Sequence, residues 1–286
     1  AGAELLTPDR QTLDLSNQAQ IDAFFEANKP ELIVHLAAEC GGIGANIENP
    51  GRYLYANALM GLMLIEAART HGVKKFVLIS TTCAYPKNAP IPLQEDSIVD
   101  GPPAGATGPY GLAKRLLHDA LIAYKKQYDF NGVVLVPANL YGPSDHFEPE
   151  RSHVVPAMIR RYVDAHEKQE SFVMNWGTGR PSREFLHARD AAEAITLALA
   201  RHQSPNPVNL GTGIETPIAE LAGQIAQHVG YSGDLRWDTS KPDGQPRRCL
   251  DTSRAAAFGF QARTTLGDGL KETIAWYKSF YHKTYC

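Results

Sequence analysis

Two side chains four residues apart open the chemical reading of this chain: Tyr110 and Lys114, in the run Tyr110-Gly-Leu-Ala-Lys114. On a helix that spacing puts both on one face, where an ammonium favours phenolate and lowers a tyrosine pKa that is ordinarily about 10. Such a tyrosine can give or take a proton. Alone the pair is weak evidence, since a solvated helix face carries the same residues by chance. Thirty residues upstream an apolar run ends in Ser80-Thr-Thr-Cys-Ala-Tyr-Pro-Lys87, placing hydroxyls and a thiol where a strand would end. A third cluster, Asn139-Leu-Tyr-Gly-Pro143, follows the next apolar run.

These clusters need a scaffold, and the pattern supplies one. Behind a candidate cap at Ser16-Asn17, residues 19–28 have helical spacing in Ile21, Phe24 and Phe25, and residues 31–38 read as a buried strand. Helices over 53–70 and 110–128 alternate with strands over 75–80 and 132–137. That order predicts a parallel sheet covered by helices, with ligands at the carboxyl ends of its strands. Beyond Tyr141 come a Pro-rich loop, a helix over 154–168, a strand over 172–175, a helix from about Asp190 with that residue as its cap, and closing helices over 218–229 and 267–280. The expected fold class is α/β, a Rossmann-type doubly wound parallel sheet with a smaller α/β substrate-binding region. The expected division is 1–145 for the cofactor domain, with 183–210 returning to it, and 146–182 plus 211–286 for the substrate region.

A dinucleotide-binding domain normally opens with a strand, a Gly-rich turn and a helix that receives the pyrophosphate. Here residues 2–6 are the first strand-like segment, and no G-x-x-G-x-x-G precedes them. The chain is therefore expected to be a fragment lacking that first strand and turn. The cluster Gly41-Gly42-Ile43-Gly44 sits after a later strand and reads equally as a ligand-side loop or a tight turn.

Composition narrows the partners. The 286 residues are 43% hydrophobic and 21% charged, with 28 basic and 31 acidic side chains for a formal charge of −3. No long-range field favours nucleic acid or an anionic membrane, so an anionic ligand needs local arginines. Four scattered cysteines form no CxxC pair, which argues against zinc and points to a reducing cytoplasm. No apolar run reaches the roughly 18–20 residues of a membrane span, and the start carries no secretion signal.

The runs STTCAYPK, YGLAK, PANLYGPSDHF with SHVVPAMIRRY, WGTGRPSREFLH and SKPDGQPRR occur in an order that resembles the GDP-L-fucose synthase family of extended short-chain dehydrogenases. The resemblance covers nearly the whole chain. It implies a hydroxyl–Tyr–Lys triad in Thr81, Tyr110 and Lys114, with threonine where the family usually has serine. It implies an epimerisation pair, Cys83 as base and His153 as acid, because inverting a carbon beside a ketone moves a proton off one face and onto the other. Read without it, Cys83 is a small buried hydrophobe and His153 a helix-terminal histidine. Asn139, Arg161, Trp176, Arg183 and Arg248 would hold the sugar and diphosphate, guanidinium forks suiting phosphate oxygens; Arg248 replaces a frequent lysine. NADP would be bound by Arg10 at its 2′-phosphate, by Leu36, Ala37 and Ala38 along the cleft, and by Tyr110 and Lys114; Asp14 and Leu15 would lie near the adenine. The turn Asn209-Leu-Gly-Thr-Gly213 is read as structural.

The implied reaction converts GDP-4-dehydro-6-deoxy-D-mannose to GDP-L-fucose by 3,5-epimerisation and NADPH-dependent 4-reduction, in a cytoplasmic homodimer. Another GDP-sugar enzyme, of the GDP-colitose or GDP-heptose type, and a catalytically silent sugar-nucleotide-binding protein are the alternatives.

Overall fold

A computed structural model describes residues 4–103, 105–148, 152–241 and 243–281. The chain runs α1 (Gln18–Asn28), β1 (Leu32–His35), α2 (Ile43–Glu48), α3 (Pro50–Thr70), β2 (Lys75–Ile79), α4 (Gly108–Tyr128), β3 (Gly132–Pro137), β4 (Asn139–Tyr141) and α5 (Val154–Glu167). It continues through β5 (Phe172–Trp176), β6 (Ser182–His187), α6 (Ala188–Arg201), β7 (Val208–Leu210), β8 (Glu215–Pro217), α7 (Ile218–Val229), β9 (Asp234–Asp238), α8 (Ser253–Ala257) and α9 (Leu266–Trp276).

The expected Rossmann-type sheet is present: β1, β2, β3 and β7 lie in that order, every neighbouring pair parallel. β3 is buried at all six positions and β2 at four of five, which is why both read as continuous apolar runs rather than alternating ones. Two smaller sheets, β4-β6-β8 and β5-β9, make up the rest. Apolar side chains accordingly gather in two cores. One surrounds Phe76, Leu78, Val134 and Leu135 and includes Leu250, Ala255 and Phe260; the other surrounds Tyr141, Tyr162, Ile225 and Tyr277.

Local chemistry sets the element ends. Asn17 caps α1 by accepting from the Gln20 N–H at 3.2 Å, and Ile21 and Phe25, four residues apart, are its buried stripe. α3 and α4 pack against each other where Gly61 meets Leu117; a Cβ on Gly61 would stand 2.2 Å from a Leu117 methyl. The first strand is shorter than expected, ending at His35, because the Asn57 amide takes the chain in hand beyond it, accepting from the Glu39 N–H at 3.0 Å and donating to the Glu39 carbonyl at 2.8 Å. The strand-like reading of residues 2–6 also fails: residues 4–6 are irregular, and 1–3 lie outside the described residues. The last helix stops at Trp276 and widens into a π turn over Tyr277–Tyr281.

Asp190 is not a cap. His187 caps α6, its Nδ1 accepting from the Arg189 N–H at 3.3 Å. Asp190 lies in the first turn, buried, and ties down the Arg263 and Thr264 N–H groups and the Thr264 hydroxyl at 2.9–3.2 Å.

Candidate active site

The carboxyl end of β2 runs into a single turn of tight helix, Thr82–Ala84, capped by the Thr81 hydroxyl, which accepts from the Cys83 N–H at 3.1 Å. The amino end of α4 lies directly on this turn. A Cβ on Gly111 would sit 2.0 Å from the Cys83 carbonyl oxygen, so only glycine lets the helix approach so closely. That contact is what brings Tyr110, one residue earlier, to the thiol of Cys83, and it gives the second residue of Tyr110-Gly-Leu-Ala-Lys114 a reason.

The electrostatics depart from the sequence reading. Lys114 is buried and donates to the Ile79 carbonyl at 3.0 Å, and burial pulls its ammonium down to about 8. The Tyr110 phenol is pushed well above its ordinary value, first by burial and then by Cys40 and Cys83. Removal of water from both groups outweighs the expected lowering by the lysine. Tyr110 is therefore a protonated phenol at neutral pH, the form that donates.

Around this centre the arginines expected to hold the substrate divide. Arg248 reaches the Cys83 sulfur at 3.8 Å and the Thr82 hydroxyl at 3.1 Å, and Gln245 holds its Nε at 2.7 Å. Arg183 donates to the Ser182 and Gln245 carbonyls at 2.7 and 2.6 Å. Burial and then the neighbouring Arg248 charge bring Arg183 down to about 10. Two guanidiniums held this near each other at a half-buried place suit an anionic ligand. Asn139 joins them from β4, its amide donating to the Glu184 carbonyl at 2.9 Å.

Arg161 and Trp176 stand together at another place. Arg161 donates to the Met174 carbonyl and Asn175 amide oxygen at 3.2 and 3.3 Å, and Trp176, 70% exposed, ends the same strand with Lys241 5.6 Å from its ring centre. His153 is exposed at the cap position of α5 and acts on the nearby Asp145 carboxyl; among the described residues no hydrogen bond joins it to Cys83 or Tyr110. The glycine cluster turns towards it, since a Cβ on Gly42 would lie 4.0 Å from the Ser152 carbonyl.

On the expected cofactor side, Leu36 and Ala37 are exposed and Ala38 half-buried just past the end of β1. Arg10 pairs with Glu39 at 3.5 Å, and Arg52 binds the same carboxylate at 2.8 Å. Asp14 holds the turn before α1, accepting from the Ser16 N–H and hydroxyl at 2.9 and 2.6 Å. Sequence reasoning missed Cys40, which carried no motif, and Glu184, which looked like one more strand charge.

Residues 2–211 match the NAD dependent epimerase/dehydratase family. The chain belongs to this family. Among its relatives, probable GDP-L-fucose synthase 1 of Oryza sativa subsp. japonica is 41% identical over 266 residues, 93% of this chain and 81% of that protein. A solved GDP-L-fucose synthetase from Naegleria fowleri bound to NADP has a TM-score of 0.88 at 27% identity, covering 96% of this chain and 84% of that one. A solved GDP-6-OMe-4-keto-L-xylo-heptose reductase from Campylobacter jejuni has a TM-score of 0.90 at 29% identity, covering 97% and 90%.

Proposed function

We propose that this protein converts GDP-4-dehydro-6-deoxy-D-mannose to GDP-L-fucose, epimerising C3 and C5 and then reducing the C4 ketone. The observation that carries the reading is the junction of α4 with the turn after β2, where a protonated phenol, a thiol and a guanidinium meet. Cys83 takes the proton from the carbon beside the ketone, and His153 returns one on the opposite face. Tyr110 then gives its proton to the C4 oxygen as that carbon is reduced. Lys114, fixed to Ile79, sits one helical turn behind the phenol, where its ammonium offsets the phenolate that remains once the proton has gone. Arg183, Arg248 and Asn139 hold the diphosphate and sugar, and Arg161 and Trp176 serve the rest of the nucleotide.

The cofactor is NADP, and at its nicotinamide end the residues fit: the segment of exposed Leu36 and Ala37 and half-buried Ala38 leaves the carboxyl end of β1 beside the strand end that leads to Thr81. Arg10, beside Glu39, serves the phosphate end. When bound, NADPH supplies the hydride. Tyr55 and Leu62 on α3 and Leu112 and Leu116 on α4 are exposed apolar residues on two helices packed together, and a homodimer would cover them. The thiols of Cys40, Cys83 and Cys249 are free, as suits the cytoplasm.

A second reading, reduction of a GDP-heptose without epimerisation, is favoured by the likeness to the C. jejuni reductase. One experiment separates them: incubation with GDP-4-dehydro-6-deoxy-D-mannose and NADPH in deuterated water, read by NMR and mass spectrometry. GDP-L-fucose with deuterium at C3 and C5 is expected. Reduction without exchange moves the heptose reading ahead, and neither reduction nor exchange sinks both.

A further inference from the structure

Glu184 is buried to 1% exposure in β6, and a carboxylate out of water is costly unless its oxygens are bonded. Both are. One oxygen accepts from the Thr212 and Gly213 N–H groups at 2.5 and 2.7 Å, and the other from the Leu250 N–H at 2.7 Å. Gly211 lets the turn close on it: a Cβ there would stand 2.0 Å from the carboxylate. The run Asn209-Leu-Gly-Thr-Gly213 is thus a backbone nest for this one anion.

The connections lead to the substrate side. Leu250 is two residues past Arg248 in the chain. Arg248 is held by the Gln245 side chain, and the Gln245 carbonyl accepts from Arg183, the neighbour of Glu184. Asn139 donates to the Glu184 carbonyl. The bonds close a ring from Glu184 to Leu250, along the chain to Arg248 and Gln245, across to Arg183 and back, with Asn139 attached. The carboxylate thus fixes the segment that carries Arg248, while Arg183 and the main-chain carbonyl that Asn139 binds belong to the strand it anchors.

We propose that Glu184 is a positioning residue: its carboxylate, clamped between the Thr212–Gly213 turn and Leu250, holds Arg183, Arg248 and Asn139 in the arrangement that receives the GDP-sugar. The inference rests on the GDP-sugar reading above. It touches neither hydride nor proton transfer, so it acts on substrate binding.

The test is Glu184→Gln, which keeps the shape but points an amide at N–H donors. GDP binding is measured by calorimetry, and KM and kcat with the 4-dehydro sugar. Expected are a GDP Kd and a sugar KM raised at least tenfold, with kcat within about twofold and NADPH KM unchanged. A lowered Tm with Kd and KM unchanged would mean a purely structural acid and overturns the proposal. Should that variant not fold, Glu184→Asp, which keeps the charge but draws it back from the Thr212–Gly213 turn and Leu250, takes its place, and an unchanged GDP Kd there overturns the proposal equally. Wild-type protein that binds GDP, with the variant weakened, but leaves the 4-dehydro sugar untouched upholds the positioning role and removes only the substrate assignment.

Discussion

The guanidinium of Arg248 lies 3.8 Å from the sulfur of Cys83, although the two are 165 residues apart in the chain. A residue read from sequence as a diphosphate contact therefore also borders the thiol assigned to epimerisation. This proximity sets a guanidinium beside the thiol, and the same turn meets the amino end of α4 at Gly111, next to Tyr110.

Separate groups for the two stages make separable losses. Tyr110→Phe removes the proton donor and should slow reduction by about 10²–10⁴-fold, the usual scale of general-acid loss. Deuterium incorporation at C3 and C5 should continue in that variant. Cys83→Ser should do the reverse, stopping exchange while the C4 ketone is still reduced. NMR of the products from each variant in deuterated water checks both, and simultaneous loss of exchange and reduction in Tyr110→Phe would argue against two sets of groups.

Gly111→Ala tests the contact that assembles the site. The added methyl has no room against the Cys83 carbonyl, and backbone cannot swing aside as a long side chain can. Overpacking of this kind costs about 1–3 kcal/mol. A lowered Tm, with reduction and exchange both impaired, is the expected result, because Tyr110 and Cys83 shift together. A variant with unchanged Tm and activity would show that α4 does not rest on this turn.

Much of this arrangement was legible beforehand. β3 and α7 were read at their observed bounds, and β2 to within a residue, because each signals through its own residues: a fully buried apolar run, or a 3.6-residue stripe. Strands such as Ser182–His187 and Asp234–Asp238 carry charges and take their partners from far along the chain, so nothing local marks them. The identities of Tyr110, Lys114 and Cys83 likewise stood out as motifs, but their electrostatics did not. Whether Lys114 lowers the Tyr110 phenol depends on how much water each has lost, which is a property of packing. Glu184 was invisible for the same reason, as its meaning lies in N–H groups from two distant turns.

Acid should weaken the fold through two buried histidines. His35 and His118 are each 2% exposed, and burial first, then the Lys114 charge, lowers both to about 3 from the ordinary value of about 6.5. In the unfolded chain they bind protons below about pH 6.5; in the folded chain they stay neutral, His118 bonded to the Ser80 hydroxyl at 2.5 Å. Their contribution is thus fully present well above pH 6.5 and is lost as pH falls towards 3, by about 1.6 kcal/mol for each between pH 6.5 and 5. Urea unfolding at pH 7.5, 6.5 and 5 measures it. His118→Gln should reduce that slope, and an unchanged slope would remove His118 from the account.

The exposed apolar residues of α3 and α4 make the last prediction. Leu112 and Leu116, four residues apart, lie on one face of α4 at 47% and 43% exposure, and α3 presents Tyr55 and Leu62 at 68% and 37%. Four large apolar side chains stand exposed on two adjoining helices, surface that a second copy would cover, each leucine gaining roughly 1–2 kcal/mol on burial. Leu116→Glu places a charge there. If this face joins two copies, sedimentation or light scattering will find a dimer for the parent protein and a monomer for the variant, with Tm concentration-dependent only in the parent. A variant that remains dimeric moves the interface elsewhere, and a monomeric parent removes the dimer from the proposal.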